Sequence, residues 1–383
     1  MSAWPGKKVI GLTGNIATGK SVVRKMLEHL DVYGIDADAL SHRVIAKGSP
    51  GYEKTVETFG KWIVGENGEV DRTKLGSLVF SDAEALAQLE AIVHPLVRKA
   101  VDHLVSQASQ KVIVIEAIKL LESPLREACD TVWVTTATEE QQIQRLKEKR
   151  GMDEAEARKR MAAQSTQTEK MAAADVVIDN SGSFEETWEI VRSAWRELQP
   201  QDERDSSGPI PVAKHTTGSL QRMEVLRARP RQAEDIATFI NRMNDSDARL
   251  SSFDVMAAFG EKAYMLLMID NVLKGLVGWK VENLVARTDE IYLEEKVNTM
   301  EALSFLVGEV ENASKELQCE ASLIFVNKKL SREKDLWEKL GYQSRSIESL
   351  AVNAWQTAAR ESQEKTNVMM FKQLRVDRVL RPI

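Results

Sequence analysis

Eight consecutive residues, Gly14-Asn15-Ile16-Ala17-Thr18-Gly19-Lys20-Ser21, carry the spacing GxxxxGK[ST], and an apolar run, Val9-Ile10-Gly11-Leu12, leads into them. Glycines at 14 and 19 let the backbone turn successive N–H groups inward as an anion nest. The helix expected to start at Lys20 adds the partial positive charge of its N-terminus. Lys20 is then placed to bridge the β- and γ-phosphates of a nucleoside triphosphate, and the Ser21 hydroxyl to ligate Mg²⁺. Transfer to an alcohol also needs an acidic residue near the carboxyl end of a neighbouring strand, to take the acceptor's proton. Ile35-Asp36-Ala37-Asp38 offers two. Asp36 follows its strand directly and can point into the crevice. Either aspartate can also cap the helix that follows, and spacing alone leaves the two roles open between them.

The rest of the chain narrows the class. No NKxD guanine signature and no DExx Walker B accompanies the loop, which disfavours a GTPase and a motor-type ATPase and leaves a small-molecule kinase. Short apolar runs at Lys8–Thr13, Val32–Ile35, Val112–Ile115, Thr131–Thr135 and Val176–Ile178 alternate with helical patterns, notably Asp82–Gln110 and Glu139–Met171. Continuous apolar strands separated by helices predict a parallel sheet covered on both faces.

At 383 residues the chain is long enough for two domains of ~150 residues each. Residues 200–222 hold three prolines, two glycines and many small polar side chains, and read as a linker between domains at 1–199 and 223–383. The second half reads as α+β: strands near Glu224–Ala228, Tyr264–Ile269, Leu273–Val281, Glu290–Leu293 and Ala321–Val326, with helices at Ala233–Met243 and Val297–Leu317. A net charge of −6 argues against a nucleic-acid binder. No apolar run approaches the roughly 20 residues of a membrane span, and no apolar leader follows Met1. Two cysteines, Cys129 and Cys319, form neither a disulfide framework nor a metal knuckle, so a reduced, cytoplasmic protein is expected.

Five segments in order resemble the dephospho-coenzyme A kinase family. Gly11 to Ser21 is similar to its GLTGGIGSGKS opening, and Ile35-Asp36-Ala37-Asp38, with His42 following, to its IDAD segment. Val93-His94-Pro95-Leu96, Ala162-Ala163-Gln164 and Ala174 to Gly182 are similar to its HPL, AAQ and ADxVIDNxG stretches. The resemblance covers about residues 8–199. It implies a P-loop kinase with a helical lid that transfers the ATP γ-phosphate to the ribose 3′-hydroxyl of dephospho-coenzyme A, with Mg²⁺. It makes Asp36 the general base, beside Lys20 and Arg145 as catalytic cations. It puts Gly14, Asn15, Ile16, Ala17, Thr18, Gly19, Lys20, Ser21, Lys149 and Asn180 on ATP, Arg145 and Lys149 reaching from a lid over Glu139–Gln164. Asp38, His94 and Glu116 fall on the acceptor side. Where the family has DVPLLFE, this chain reads Glu116-Ala117-Ile118-Lys119-Leu120-Leu121-Glu122, so the acceptor pocket or the surroundings of the metal are expected to differ. Asn15 and Ala17, often glycines in the family, are expected to be neutral replacements. Competing readings are another P-loop kinase of the nucleoside monophosphate type, and a nucleotide-gated regulator.

The second half resembles the GNAT acetyltransferases in three places: Val225 to Pro230 with Glu234-Asp235-Ile236, Lys274 to Trp279, and Leu336 to Tyr342. The glycine-bearing pyrophosphate loop of that family should fall within Leu293–Leu303. That stretch contains no glycine and carries Glu294 and Glu295, which would repel a pyrophosphate. A degenerate domain is expected, with coenzyme A or an acyl-coenzyme A as its possible ligand. Tyr342, an acid candidate in active relatives, is expected to be a core aromatic.

Overall fold

A computed structural model describes residues 3–79, 81–198, 211–216, 222–244, 249–362 and 367–375. The chain divides into two compact units between Ser183 and Phe184.

In the first unit the elements run β1 (Lys8–Gly14), α1 (Lys20–Glu28), β2 (Tyr33–Asp36), α2 (Ala37–Arg43), α3 (Tyr52–Phe59), α4 (Arg72–Val79), α5 (Ala83–Gln107), β3 (Val112–Glu116), β4 (Thr131–Thr136), α6 (Glu139–Arg150), α7 (Glu154–Ala162), α8 (Gln167–Ala172) and β5 (Val176–Asp179). The sheet is parallel in the order β2-β3-β1-β4-β5. Val9, Ile10, Leu12, Ile113, Val114, Ile115, Val132 and Trp133 have essentially no exposure, as expected of strands covered on both faces. The chain leaves β1 in one direction, toward β2, and later crosses to β4 on the other side. That reversal opens a crevice at the carboxyl ends of β1 and β3, where ligands bind in such sheets.

The helical stretch expected at Glu139–Met171 is three helices. Gly151, at a left-handed φ of 61°, closes α6; Asp153 caps α7; Thr166 opens α8 in a capping box with Glu169. Each break carries its own stop or start residue, and a hydrophobic periodicity that runs across the breaks conceals them.

The second unit contains α9 (Phe184–Leu198), β6 (Pro211–Thr216), β7 (Arg222–Arg227), α10 (Ala233–Met243), α11 (Ser252–Ala258), β8 (Ala263–Ile269), β9 (Val272–Glu282), β10 (Val285–Leu293), α12 (Thr299–Glu316), β11 (Ala321–Val326), α13 (Lys334–Leu340), β12 (Gln343–Ser344), α14 (Asn353–Ser362) and β13 (Val368–Gln373). Its sheet runs β12-β13-β11-β10-β9-β8-β7-β6, with β7 to β10 an antiparallel meander and β10–β11 a parallel pair bridged by α12. This is the α+β order expected from the sequence. The expected linker is mostly outside the described residues, but within it Pro211–Thr216 pair with β7 as an edge strand. Phe184 packs in the second unit's core beside Ile236, Ile240 and Phe259, so α9 groups there. β10 is longer than the Glu290–Leu293 expected, because Arg287 interrupts its apolar pattern. Burial of that guanidinium is possible because it binds Glu361 Oε2 at 2.7 Å, Glu282 and the Ala358 carbonyl.

Candidate functional site

Gly19, the residue before α1, sits at φ 95°, and a Cβ there would overlap the Asn180 amide, so only glycine fits. The loop is braced on all sides. Thr18 Oγ1 pairs with Thr135 Oγ1 at 2.7 Å, and Asn180 Nδ2 donates to the Thr18 carbonyl at 2.9 Å. The Ile16 amide donates to Gln164 Oε1 at 2.8 Å, and Asn15 Nδ2 donates to the Ser165 carbonyl at 3.0 Å. Lys20 lies back across the loop, donating to the Asn15 carbonyl at 3.1 Å. Arg145, on α6, donates to the carbonyls of Ala17 (3.1 Å) and Asn180 (2.7 Å), and burial lowers its guanidinium below the ordinary value. The lid cation therefore reaches the loop itself.

Two of the expected neutral replacements have definite roles. Ala17 adopts a left-handed φ of 61°, where glycine would be unstrained. Asn15 ties the loop to the segment after α7, a link that glycine could not make.

The acidic side is set by register. Asp36 lies opposite Glu116, and Glu116 opposite Leu12, so the last residues of β2 and β3 stand in one row beside the loop. Ser21 Oγ donates to Glu116 Oε1 at 2.8 Å, and Arg24 Nε to Glu116 Oε2 at 2.7 Å. Arg24 also binds Glu28 at 2.6 Å. Burial alone would lower the Arg24 guanidinium, but Glu28 and Glu116 outweigh it and hold it well above its usual value. Because Ser21 gives its proton to Glu116, its oxygen keeps lone pairs for a hard cation, which fits the expected Mg²⁺ role. Among the described residues no cluster of three or more His, Cys, Asp or Glu side chains could hold a metal alone. The ion would then rest on Ser21 and the nucleotide's phosphates.

Asp36 Oδ1 accepts the Ala39 amide at 2.8 Å, so this aspartate caps α2 while ending β2. Asp38 Oδ2 accepts the Ile118 amide at 3.0 Å, and burial, then the charge of Asp36, pushes its carboxyl up to about 6. His94 is half-buried within α5, directly before Pro95, and among the described residues its side chain has no hydrogen bond. The Lys149 side chain lies outside the described residues. Asn180, expected on ATP, donates its side-chain amide to the Thr18 carbonyl.

Several contributors escaped the sequence reading. Gln164 was visible only as part of a motif without a role. Thr135 is one of three threonines in β4, and nothing in the sequence singles it out. Lys170, 2% exposed, lies in a six-residue helix and donates to the Ile118 carbonyl at 2.9 Å.

Comparison with known proteins decides the family. Residues 8–186 match the family model described as dephospho-CoA kinase. The dephospho-CoA kinase of Carboxydothermus hydrogenoformans is 41% identical over 186 residues, which cover 48% of this chain and 90% of that protein. The chain belongs to the dephospho-CoA kinase family. Another member, from Streptomyces avermitilis, is 43% identical over 190 residues, covering 49% of this chain and 93% of its own. These kinase matches leave the second half uncovered. Across the solved structures, a GNAT-family acetyltransferase from Streptococcus pneumoniae aligns with 39% of this chain and 98% of its own, at 13% identity and a TM-score of 0.31.

In the second unit, the N-terminus of α12 is capped by its own chain: Asn298 Oδ1 accepts the Glu301 amide at 3.3 Å. Glu294, just upstream, is held by Arg242 at 2.6 Å and Lys274 at 2.7 Å. Tyr342 is a core aromatic, as expected, with its hydroxyl on Ser322 Oγ at 2.9 Å.

Proposed function

We propose that this chain transfers the γ-phosphate of ATP to the ribose 3′-hydroxyl of dephospho-coenzyme A, giving coenzyme A and ADP. The observation that carries the reading is the row formed by Asp36 and Glu116 beside the loop, with Ser21 and Arg24 bound to Glu116. Asp36 accepts the 3′-hydroxyl proton as that oxygen attacks the γ-phosphorus. Loop N–H groups other than those of Ile16 and Thr18, which are bonded to Gln164 and the Asn15 carbonyl, act with Lys20 and Arg145 to stabilise the charge on the equatorial oxygens. Ser21 would hold Mg²⁺, which when bound would supply positive charge to offset that of the phosphates. Asn15, Ile16, Ala17, Thr18 and Asn180 set the shape of the cradle, and Lys149 completes the lid. Asp38, His94 and Glu116 face the acceptor.

The catalytic piece lies within 1–199 and the accessory domain holds 223–383, with α9 and the Pro211–Thr216 strand of the 200–222 connector grouping with the accessory domain. Proteolysis that trims to residue 183 instead would move that cut. Coenzyme A, or an acyl form of it, is the ligand proposed for the accessory domain, on the strength of its sequence resemblance to the GNAT family. The cap on α12 and the pairing of Glu294 leave no pyrophosphate seat at that helix end, so coenzyme A, which carries a pyrophosphate, would have to bind this domain with that group placed elsewhere, and acetyl transfer is not part of the proposal. Two free, buried thiols suit the reducing cytoplasm, and among the described residues no helix is long and apolar enough to cross a membrane.

The test is ADP release from ATP and Mg²⁺, with and without dephospho-coenzyme A. Strong stimulation by the acceptor supports the reading; ATP binding without stimulation would transfer it to a nucleotide-gated regulator.

A further inference from the structure

Lys170 is a buried cation for which the reaction above has no use. Its ammonium has three donors, and among the described residues it forms no ion pair; its one hydrogen bond goes to the Ile118 carbonyl at 2.9 Å. Thr13 Oγ1 donates to the same carbonyl at 3.0 Å. On the other side of the same residue, the Ile118 amide donates to Asp38 Oδ2 at 3.0 Å. The Ala117 amide is fixed on the Leu12 carbonyl at 3.0 Å. Residue 118 is thus clamped from both sides, and one side of the clamp carries the carboxylate at the acceptor end. Residue 118 is also where this chain has isoleucine against the family's proline, and proline has no N–H to give.

We propose that Lys170 is a positioning residue for the acceptor: by holding the Ile118 carbonyl it fixes the amide that aims the Asp38 carboxylate. The proposal rests on the kinase reading for what Asp38 receives, but the link from Lys170 to Asp38 stands on its own geometry. A purely structural lysine would hold α8 to the end of β3 and leave Asp38 indifferent. Electrostatics agree with the link. Burial pushes the Lys170 ammonium down, with Glu122 and Asp38 opposing and Lys20 assisting. Asp38 faces Asp36, Lys20 and Glu116 besides.

The experiment uses the full chain with ¹³C-labelled aspartate carboxyl groups, Asp38→Asn identifying the Asp38 resonance. In Lys170→Met the Asp38 midpoint is expected to move up, since both a cation and a properly aimed N–H are withdrawn. The acceptor KM is expected to rise about 10- to 100-fold, with the ATP KM nearly unchanged. Lys170→Gln, which keeps a donor and loses the charge, is expected to recover part of the acceptor KM. An unmoved Asp38 midpoint and acceptor KM in folded Lys170→Met would overturn the proposal, as would equal loss of ATP and acceptor affinity. If neither Lys170 variant folds, Thr13→Val decides: a smaller upward shift supports the clamp, and no shift sinks it. Wild-type chain that shows the Asp38 response but no acceptor-stimulated ADP release would defeat the reaction and leave the clamp intact.

Discussion

Buried charge is used differently in the two units. In the first, Arg24 and Glu116 are both interior, with side chains 10% and 5% exposed, and their hydrogen bonds lead to Ser21 of the phosphate loop. In the second, Arg287 is just as buried, but the Glu282 and Glu361 carboxylates that meet it are 53% and 55% exposed. One network has both ends inside and ends on Ser21 of the phosphate loop. The other is a guanidinium sewn to the surface to let a polar residue sit in the middle of a strand. Interior ion pairs stabilise little in net terms, because desolvation offsets attraction. Their presence around the loop is therefore better explained by positioning than by stability.

The largest expected effect follows from the first network. Asp36→Asn should lower acceptor-stimulated turnover by about 10²- to 10⁴-fold, as removal of a general base does. Asparagine caps a helix as well as aspartate, so α2 should survive and ATP affinity with it. Calorimetric ATP titration beside the turnover assay checks both halves. The matching change in the second unit, Arg287→Met, should leave kcat within about twofold. A large fall in kcat there would break the comparison.

Stability should separate the two guanidinium groups next. Arg24→Met strands Glu116 and Glu28 in the interior and should cost about 3–5 kcal/mol. Arg287→Met releases two carboxylates already half in water and should cost about 1–2 kcal/mol. Urea unfolding followed separately for each unit measures the pair. Equal losses would mean that exposure of the partner does not govern the cost.

A third effect depends on pH. The Asp38 carboxyl is held at about 6 against an ordinary 3.8, by burial first and the Asp36 charge second. The folded state therefore prefers the proton more than the unfolded chain does. This group's contribution to stability is fully present below about 3.8 and is lost as pH rises through about 6. Asp38→Asn should accordingly stabilise the protein at pH 8, on the order of 1–3 kcal/mol, with the difference vanishing near pH 4. Thermal melts of the two proteins across that range give the result. A gain that does not depend on pH would point to altered packing instead.

Much of the first unit was legible because its devices are local. GxxxxGK[ST] specifies a turn by glycine and a nest by consecutive residues, and the buried strands of a parallel sheet show up as unbroken apolar runs. The residues that escaped act across large sequence gaps. Gln164 reaches Ile16, Lys170 reaches Ile118, and Thr135 reaches Thr18, each 52 to 148 positions away in the chain. Nothing in a six-residue helix marks one lysine as buried. For the two aspartates, spacing left the capping and site-facing roles open, and it could not show that Asp36 caps α2 while standing in the Glu116 row. In the second unit the strands of the meander were readable as short strand-like runs, Tyr264–Ile269, Leu273–Val281 and Glu290–Leu293. Strand β13, inserted between β11 and β12 from the end of the chain, was not, because its partners are distant and its neighbours in sequence carry no turn signal pointing back.

The smallest effect tests the finest detail of the loop. Ala17 holds a left-handed φ of 61° in a position that also packs its methyl beside Ile16, Ile143 and Leu146. The backbone strain for a residue with a Cβ is about 1–2 kcal/mol. Replacement by glycine removes that strain but frees the unfolded chain, a cost of about 0.5–1 kcal/mol, and gives up the methyl contact. Ala17→Gly should thus be stabilising by no more than about 0.5 kcal/mol, with ATP affinity kept within about twofold. A stability loss above 1 kcal/mol would mean that the methyl contact between loop and lid outweighs the strain. In that case alanine holds the lid helix onto the loop, and the Arg145 contact with the Ala17 carbonyl depends on it.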